Sequence, residues 1–195
     1  AYEQALALYR RAAALPNIAV TGIDCHIGSQ LLDPSPFVEA LDRILALVDQ
    51  LTVEGIQLHH IDIGGGLGIK YKAEQEQPTV ASYLNPLLDK LAGRGLQIVM
   101  EPGRRLVGNA GLLLTKIEYL KPGEVKNFAV VDAAMNDLAR PALYDAWHTI
   151  VPVKPRQDTP NTWQIVGPIC ESGDFLGHDR EFAAEPGDLL AILSA

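Results

Sequence analysis

Two cysteines in 195 residues, Cys25 and Cys170, are too few and too far apart for a disulfide framework, and no metal-type spacing links them. This usage fits free thiols in a reducing compartment such as the cytosol. Basic residues are also scarce, with 16 Lys and Arg against 24 Asp and Glu, a formal net charge of −8. A nucleic-acid or anionic-membrane surface needs a basic footprint, so neither partner is expected. No apolar run approaches the ~20 residues that a membrane helix requires. The opening Ala1-Tyr2-Glu3-Gln4 carries neither the basic nor the apolar stretch of a secretion signal, so none is expected. Aromatics are few, at 6%, but hydrophobic residues make up 48% and charged residues 21%, a globular balance that excludes disordered and collagen-like chains. The length suits one domain and a fraction of another.

The apolar pattern changes character along the chain. Residues 2–15 have a helical period. Ile18 to His26 is a short β-branched run that ends in polar residues, as a buried strand feeding a loop does. Pro36 to Val53 predicts a helix with Phe37, Leu41, Ile44, Leu45 and Val48 on one face, opened by Pro36 and closed at Gly55. Leu58–Ile63 predicts a second strand, Tyr83–Leu91 a helix closed by Gly93, and Leu96–Met100 a third strand. Strand and helix thus alternate, and each strand's C-terminal end carries the unusual residues, the edge where parallel α/β folds place their sites. Beyond about residue 108, Leu112–Leu120, Phe128–Val131, Trp163–Val166 and Leu189–Leu193 read as strands separated by Pro/Gly-rich turns, a β-rich domain or part of one. Val151 to Pro160, with three prolines, reads as a loop.

Five segments carry chemistry. Gly64-Gly65-Gly66-Leu67-Gly68 lets backbone N–H groups approach an anion, although a glycine turn is often structural. Ile69 breaks the dinucleotide pattern, and no Gly-Lys-Ser/Thr follows. Glu101-Pro102-Gly103-Arg104 offers a carboxylate for a ring nitrogen or hydroxyl and a guanidinium for a carboxylate or phosphate, or the two charges simply pair. His26-Ile27-Gly28-Ser29-Gln30 ends the first strand as the other two clusters end theirs. Asp132 to Tyr144 is dense in polar groups, and Arg140 and Tyr144 share a face if that turn is helical. Gly167–Asp174 sets Cys170 beside Glu171 between two glycine turns, a better setting for acid/base work than a core cysteine would have.

These segments, in this order and spacing, resemble the diaminopimelate decarboxylases, pyridoxal-phosphate enzymes of the alanine-racemase-like barrel class. The resemblance implies an α/β fold, the C-terminal part of a PLP-binding TIM-type (β/α)8 barrel over residues 1–108, followed by part of a β-rich domain over 109–195. It implies decarboxylation of meso-2,6-diaminopimelate to L-lysine, the last step of lysine biosynthesis, with pyridoxal 5′-phosphate. His26 would stack on the cofactor ring, Ser29 would help hold its phosphate, and Gly65 and Gly66 would cradle it with the Pro102-Gly103 backbone. Glu101 would hold the ring-nitrogen proton. Arg104, Arg140 and Tyr144 would grip substrate carboxylates. Cys170 would be the catalytic proton donor, and Glu171 would meet the distal amino group. A head-to-tail homodimer with shared sites is implied, because the family's Cys-Glu pair reaches into its partner. No metal is implied. A substrate with two carboxylates calls for arginines, and the loop reads Cys-Glu where ornithine and arginine decarboxylases read Cys-Asp.

The family's Schiff-base lysine lies upstream of the His26 segment. The seven lysines here are Lys70, Lys72, Lys90, Lys116, Lys121, Lys126 and Lys154, and none precedes that segment. The chain also starts without Met, within a helical pattern. An internal piece of a decarboxylase, inactive by itself, is therefore expected. Three alternatives stand beside that reading. One is a non-catalytic homologue that binds or regulates partners, which predicts decay of Cys170, Glu101 or Arg104, and all three are intact. Another is a related ornithine- or arginine-type decarboxylase. The third is a phosphate-binding barrel enzyme without pyridoxal phosphate, which explains Gly64–Gly66 but leaves Cys170, Glu171 and Arg140 unexplained.

Overall fold

A computed structural model describes residues 2–195. The chain divides into two compact units, Ala1–Ile69 with Glu76–Leu106, and Lys70–Gln75 with Val107–Ala195.

The first unit alternates helix and strand: α1 (Tyr2–Ala13), β1 (Gly22–Asp24), α2 (Ser35–Val53), β2 (His60–Asp62), α3 (Val80–Leu91), β3 (Gln97–Val99) and a single turn, α4 (Gly103–Val107). β1, β2 and β3 pair in parallel, with Ile23 opposite Ile61 and Ile61 opposite Ile98. The strands are shorter than the apolar runs suggest. Ile18 is 53% exposed, and the chain around it lies outside the ladder. α2 buries Phe37, Leu41, Ile44, Leu45, Val48 and Leu51 at the spacing of one helical face. Gly55, at φ 82°, ends it in a left-handed turn.

α3 begins three residues earlier than the apolar period indicates. Thr79 caps it, its Oγ1 accepting the Ser82 N–H at 3.0 Å. Phe37 and Tyr83 meet edge to face at 4.8 Å in the core under the sheet. Burial pushes the Tyr83 phenol up to about 12.

The second unit holds β4 (Leu112–Lys121), β5 (Asn127–Val131), α5 (Arg140–Tyr144), β6 (Ile150–Pro152), β7 (Asn161–Val166), β8 (Phe175–Phe182) and β9 (Leu189–Leu193). The sheet order is β6-β9-β4-β5-β7-β8, and every pair is antiparallel except β5–β7. Ile117, Val131, Trp163, Ile165, Leu176, Leu190 and Ile192 form its core. The predicted α/β segment followed by a β-rich segment is what these units contain. Two strands go beyond the sequence reading. β6 takes Val151 and Pro152 out of the predicted loop, and Pro152 tolerates this at an edge of the sheet. β8 was not visible because register shifts against β7 break its alternation, leaving Leu176 and Gly177 adjacent and both buried. Among the described residues, no helix is long and apolar enough to cross a membrane.

Candidate functional site

The ends of β1, β2 and β3 are sewn together backbone to backbone. Cys25 N–H donates to Asp62 O at 3.0 Å, and Glu101 N–H donates to Gly64 O at 2.9 Å. Leu31 N–H donates to Gly66 O at 2.9 Å, and Gly68 N–H returns to Leu31 O at 2.8 Å. The Gln30 amide acts as one more peptide group, donating to Ile69 O at 2.6 Å and accepting Ile69 N–H at 3.2 Å. Such close approach demands glycine. A Cβ on Gly65 would lie 2.1 Å from Glu101 O, and one on Gly66 would lie 2.1 Å from Gly28 O. Gly66 also has φ 103°, a conformation that side chains resist.

This packing brings several expected residues into contact. Gly65 N–H donates to His26 Nδ1 at 3.3 Å, which fixes that nitrogen as the acceptor and puts the ring proton on Nε2. Arg104 donates to Ser29 Oγ at 3.1 Å. Gly64 N–H is spent on Asp62 Oδ1 at 2.8 Å, whereas Gly66 N–H has no hydrogen-bond partner among the described residues. Gly103 opens α4, and a Cβ there would meet nothing within 4 Å. Carboxylate oxygens of Asp24, Asp62 and Glu101 lie within 4.8 Å of one another. Negative charges this close favour a positively charged neighbour.

The donor set fits pyridoxal phosphate. The carboxylate group suits a protonated ring nitrogen, and the glycine loop, Ser29 and Arg104 suit a phosphate. No lysine for a covalent attachment stands on these strands. The one lysine of this unit, Lys90 on α3, pairs with Asp42 of α2 at 2.7 Å.

In the second unit the expected substrate residues sit on two loops joined by Asp174. This carboxylate is 3% exposed, and it accepts Met135 N–H at 2.7 Å and Ile169 N–H at 2.8 Å. It thereby ties the Asp132–Tyr144 segment to the turn that carries Cys170. Gly167 makes room for it, because a Cβ there would lie 2.4 Å from Asp174 Oδ2. Cys170 is a free, exposed thiol and Glu171 is exposed beside it. Asp132 anchors the start of the segment, accepting Thr115 Oγ1–H at 2.6 Å and Lys116 N–H at 2.8 Å. These bonds hold its carboxyl below the usual range.

Arg140 opens α5. It donates to Tyr71 Oη and to His148 Nε2, each at 3.0 Å, and lies over the Tyr71 ring at 4.9 Å. His148 is fully buried. Because its Nε2 accepts from a guanidinium, its proton resides on Nδ1, which donates to Leu193 O at 3.1 Å. Tyr144, one turn on, is 73% exposed.

Three of these residues carried no role in the sequence reading. Asp174 lay inside a segment noted for Cys170 and Glu171, and His148 lies four residues beyond the segment noted for Arg140 and Tyr144. Tyr71 lies in the polar Lys70–Gln75 stretch, which shows no periodicity.

Known proteins resemble the chain along its whole length. Residues 1–108 match the pyridoxal-dependent decarboxylase family over its pyridoxal binding domain. A diaminopimelate decarboxylase of Neisseria meningitidis serogroup A is 58% identical over 195 residues, covering 100% of this chain and 48% of its own. One from Pseudomonas aeruginosa is 54% identical, covering 100% and 47%. The crystal structure of diaminopimelate decarboxylase from Helicobacter pylori complexed with L-lysine superposes with a TM-score of 0.92 at 36% identity, covering 99% of this chain and 48% of that one. The chain spans about half the length of the curated relatives it matches.

Proposed function

The chain belongs to the pyridoxal-dependent decarboxylases, and from that premise we propose that the polypeptide carrying it converts meso-2,6-diaminopimelate to L-lysine and CO2. The carrying observation is the correspondence with a diaminopimelate decarboxylase at 58% identity across all 195 residues.

When bound, pyridoxal phosphate supplies the electron sink for the charge left at the α-carbon as CO2 departs. In this reading Glu101 holds the proton on the ring nitrogen, supported by the neighbouring Asp24 and Asp62. His26 packs on the ring, with its Nδ1 held by Gly65. Ser29, Gly66, Gly103 and Arg104 take the phosphate, and Pro102 stiffens the turn between Glu101 and Gly103. Arg104, Arg140 and Tyr144 orient substrate carboxylates, for which a planar guanidinium offers paired donors. Cys170 Sγ delivers a proton to the α-carbon, and Glu171 receives the distal amino group. The exposure of Cys170 and Glu171 supports a homodimer in which they serve a second copy. A cytosolic enzyme is consistent with the free thiols. The attachment lysine belongs, in this reading, to sequence beyond these 195 residues.

The test uses the complete gene product that contains this chain, loaded with pyridoxal phosphate and offered meso-diaminopimelate, ornithine or arginine. Lysine and CO2 from the first substrate alone are expected. Turnover of ornithine or arginine in preference, or of none, overturns the assignment. Replacing Cys170 by Ala should lower turnover by about 10²-fold or more while cofactor absorbance is retained. Unchanged turnover would remove Cys170 from the donor role.

A further inference from the structure

The second unit contains a buried cation without an anion. Arg180, on β8, is 6% exposed, and its guanidinium sits 3.3 Å from the centroid of the Trp147 ring. Among the described residues it has neither an ion pair nor a hydrogen bond, and its Nε is sealed from solvent with no partner. Stacking on an indole occupies the face of a guanidinium but leaves the in-plane N–H donors unspent. An interior arginine in that state is costly unless an acceptor reaches it. Burial depresses its proton affinity to about 10, outweighing the pull of Asp179.

Arg180 lines a cavity of about 170 Å3 together with Lys72, Asp145, Trp147 and His178. Lys72 Nζ stands 5.0 Å from the same indole centroid, so two basic side chains lie against Trp147. His178 is turned to Gln164 Oε1 at 3.0 Å and stacked on Phe175. Asp145 is the single acid of the lining, which leaves the cavity net positive. Pro141, Leu176 and Gly177 close the remainder with apolar surface. The backbone yields space for the guanidinium, because a Cβ on Gly177 would lie 2.7 Å from Arg180 Nε. A water claims about 30 Å3 of liquid, so the cavity has room for a larger, charged guest. Lys72 and Trp147 are the chain neighbours of Tyr71 and His148, which both accept from Arg140.

We propose that this cavity binds a small oxyanion, a phosphate or a carboxylate group, between Arg180 and Lys72 over the face of Trp147. The arginine supplies paired donors, the lysine a second charge, and the indole an apolar wall that excludes water. No pyridoxal chemistry is involved, so the proposal stands apart from the assigned activity.

The complete gene product is titrated with sodium phosphate, sodium acetate or sodium chloride at constant ionic strength, with tryptophan emission as the readout. A saturable change with phosphate or acetate, but not chloride, is expected, and the tighter of the two identifies the ligand class. The change should vanish in Trp147→Phe and Arg180→Gln and require about five- to tenfold more anion in Lys72→Ala. The same response to all three salts, no saturable response, or one that survives Arg180→Gln overturns the proposal. Should Arg180→Gln not fold, the exposed Lys72 decides, and an unchanged dissociation constant in Lys72→Ala overturns it.

Discussion

Asp174 grips the backbone of Met135: its buried Oδ1 accepts the Met135 N–H at 2.7 Å, while Oδ2 takes the N–H of Ile169 at 2.8 Å. One carboxylate thus serves two loops that have no ladder between them. In Asp174→Asn one of those N–H groups faces an NH2 donor, so a buried donor loses its acceptor at a cost of about 1–3 kcal/mol. The variant should melt several degrees lower, and hydrogen exchange should rise at Met135 and Ile169 together. Faster exchange at one amide alone would mean that the loops are not coupled through this residue.

Gly66 and Gly93 both hold positive φ, 103° and 75°, but their surroundings differ. A Cβ on Gly66 would strike Gly28 O at 2.1 Å, whereas one on Gly93 meets nothing within 4 Å. Gly93→Ala carries only the left-handed backbone penalty of roughly 1–2 kcal/mol. Gly66→Ala adds a displacement of the His26–Gln30 loop. Thermal melts should rank wild type above Gly93→Ala above Gly66→Ala. Pyridoxal phosphate affinity of the complete gene product should fall only in Gly66→Ala, and equal affinity in both variants would disconnect the glycine loop from the phosphate.

The three strand ends were legible because each breaks its apolar run with glycine or charge at the same relative place, and the backbone contacts at Gly65 and Gly66 give those glycines their physical reason. The α2 face was legible because its period is unbroken from Phe37 to Leu51. β8 was hidden because bulges opposite Trp163 and Ile165 remove the alternation that sequence reading depends on. Tyr71 was hidden because a polar stretch of six residues gives no sign that its members belong with the second unit. Asp174 could be read as a loop acid but not as a joint, since both of its partners are backbone N–H groups that no side-chain pattern encodes.

Acid should loosen the second unit by a calculable route. Hydrogen bonds from Arg156, at 2.7 and 2.9 Å, hold the Asp188 carboxyl below the usual range, as Thr115 and Lys116 do for Asp132. An unfolded aspartate titrates near pH ~3.9. Between that value and the lower folded one the unfolded chain binds more protons, so stability is present above about pH 4 and drains as the pH falls through the folded values. Melting temperatures between pH 7 and pH 3 should drop mainly below pH ~4. Asp188→Asn should start lower at pH 7 and fall less steeply. A parallel curve for that variant would assign the acid sensitivity elsewhere.

His148 orients Arg140 without reaching the solvent itself. Its Nε2 accepts from the guanidinium at 3.0 Å, and its Nδ1–H is anchored on Leu193 O at 3.1 Å. Gln has an amide that offers one acceptor and one donor at a similar reach, whereas Leu offers neither. A hydrogen bond to a charged group is worth roughly 1.5–3 kcal/mol, or about 10- to 150-fold in binding. His148→Leu should therefore raise KM for the proposed diacid substrate in the complete gene product by about 10-fold or more, with a smaller effect on kcat. His148→Gln should recover most of that loss. Equal KM in the two variants, with matched melting temperatures, would show that Arg140 keeps its place without the His148 hydrogen bond. A rise in KM that Gln cannot rescue, accompanied by a lower melt, would reduce His148 to a packing residue.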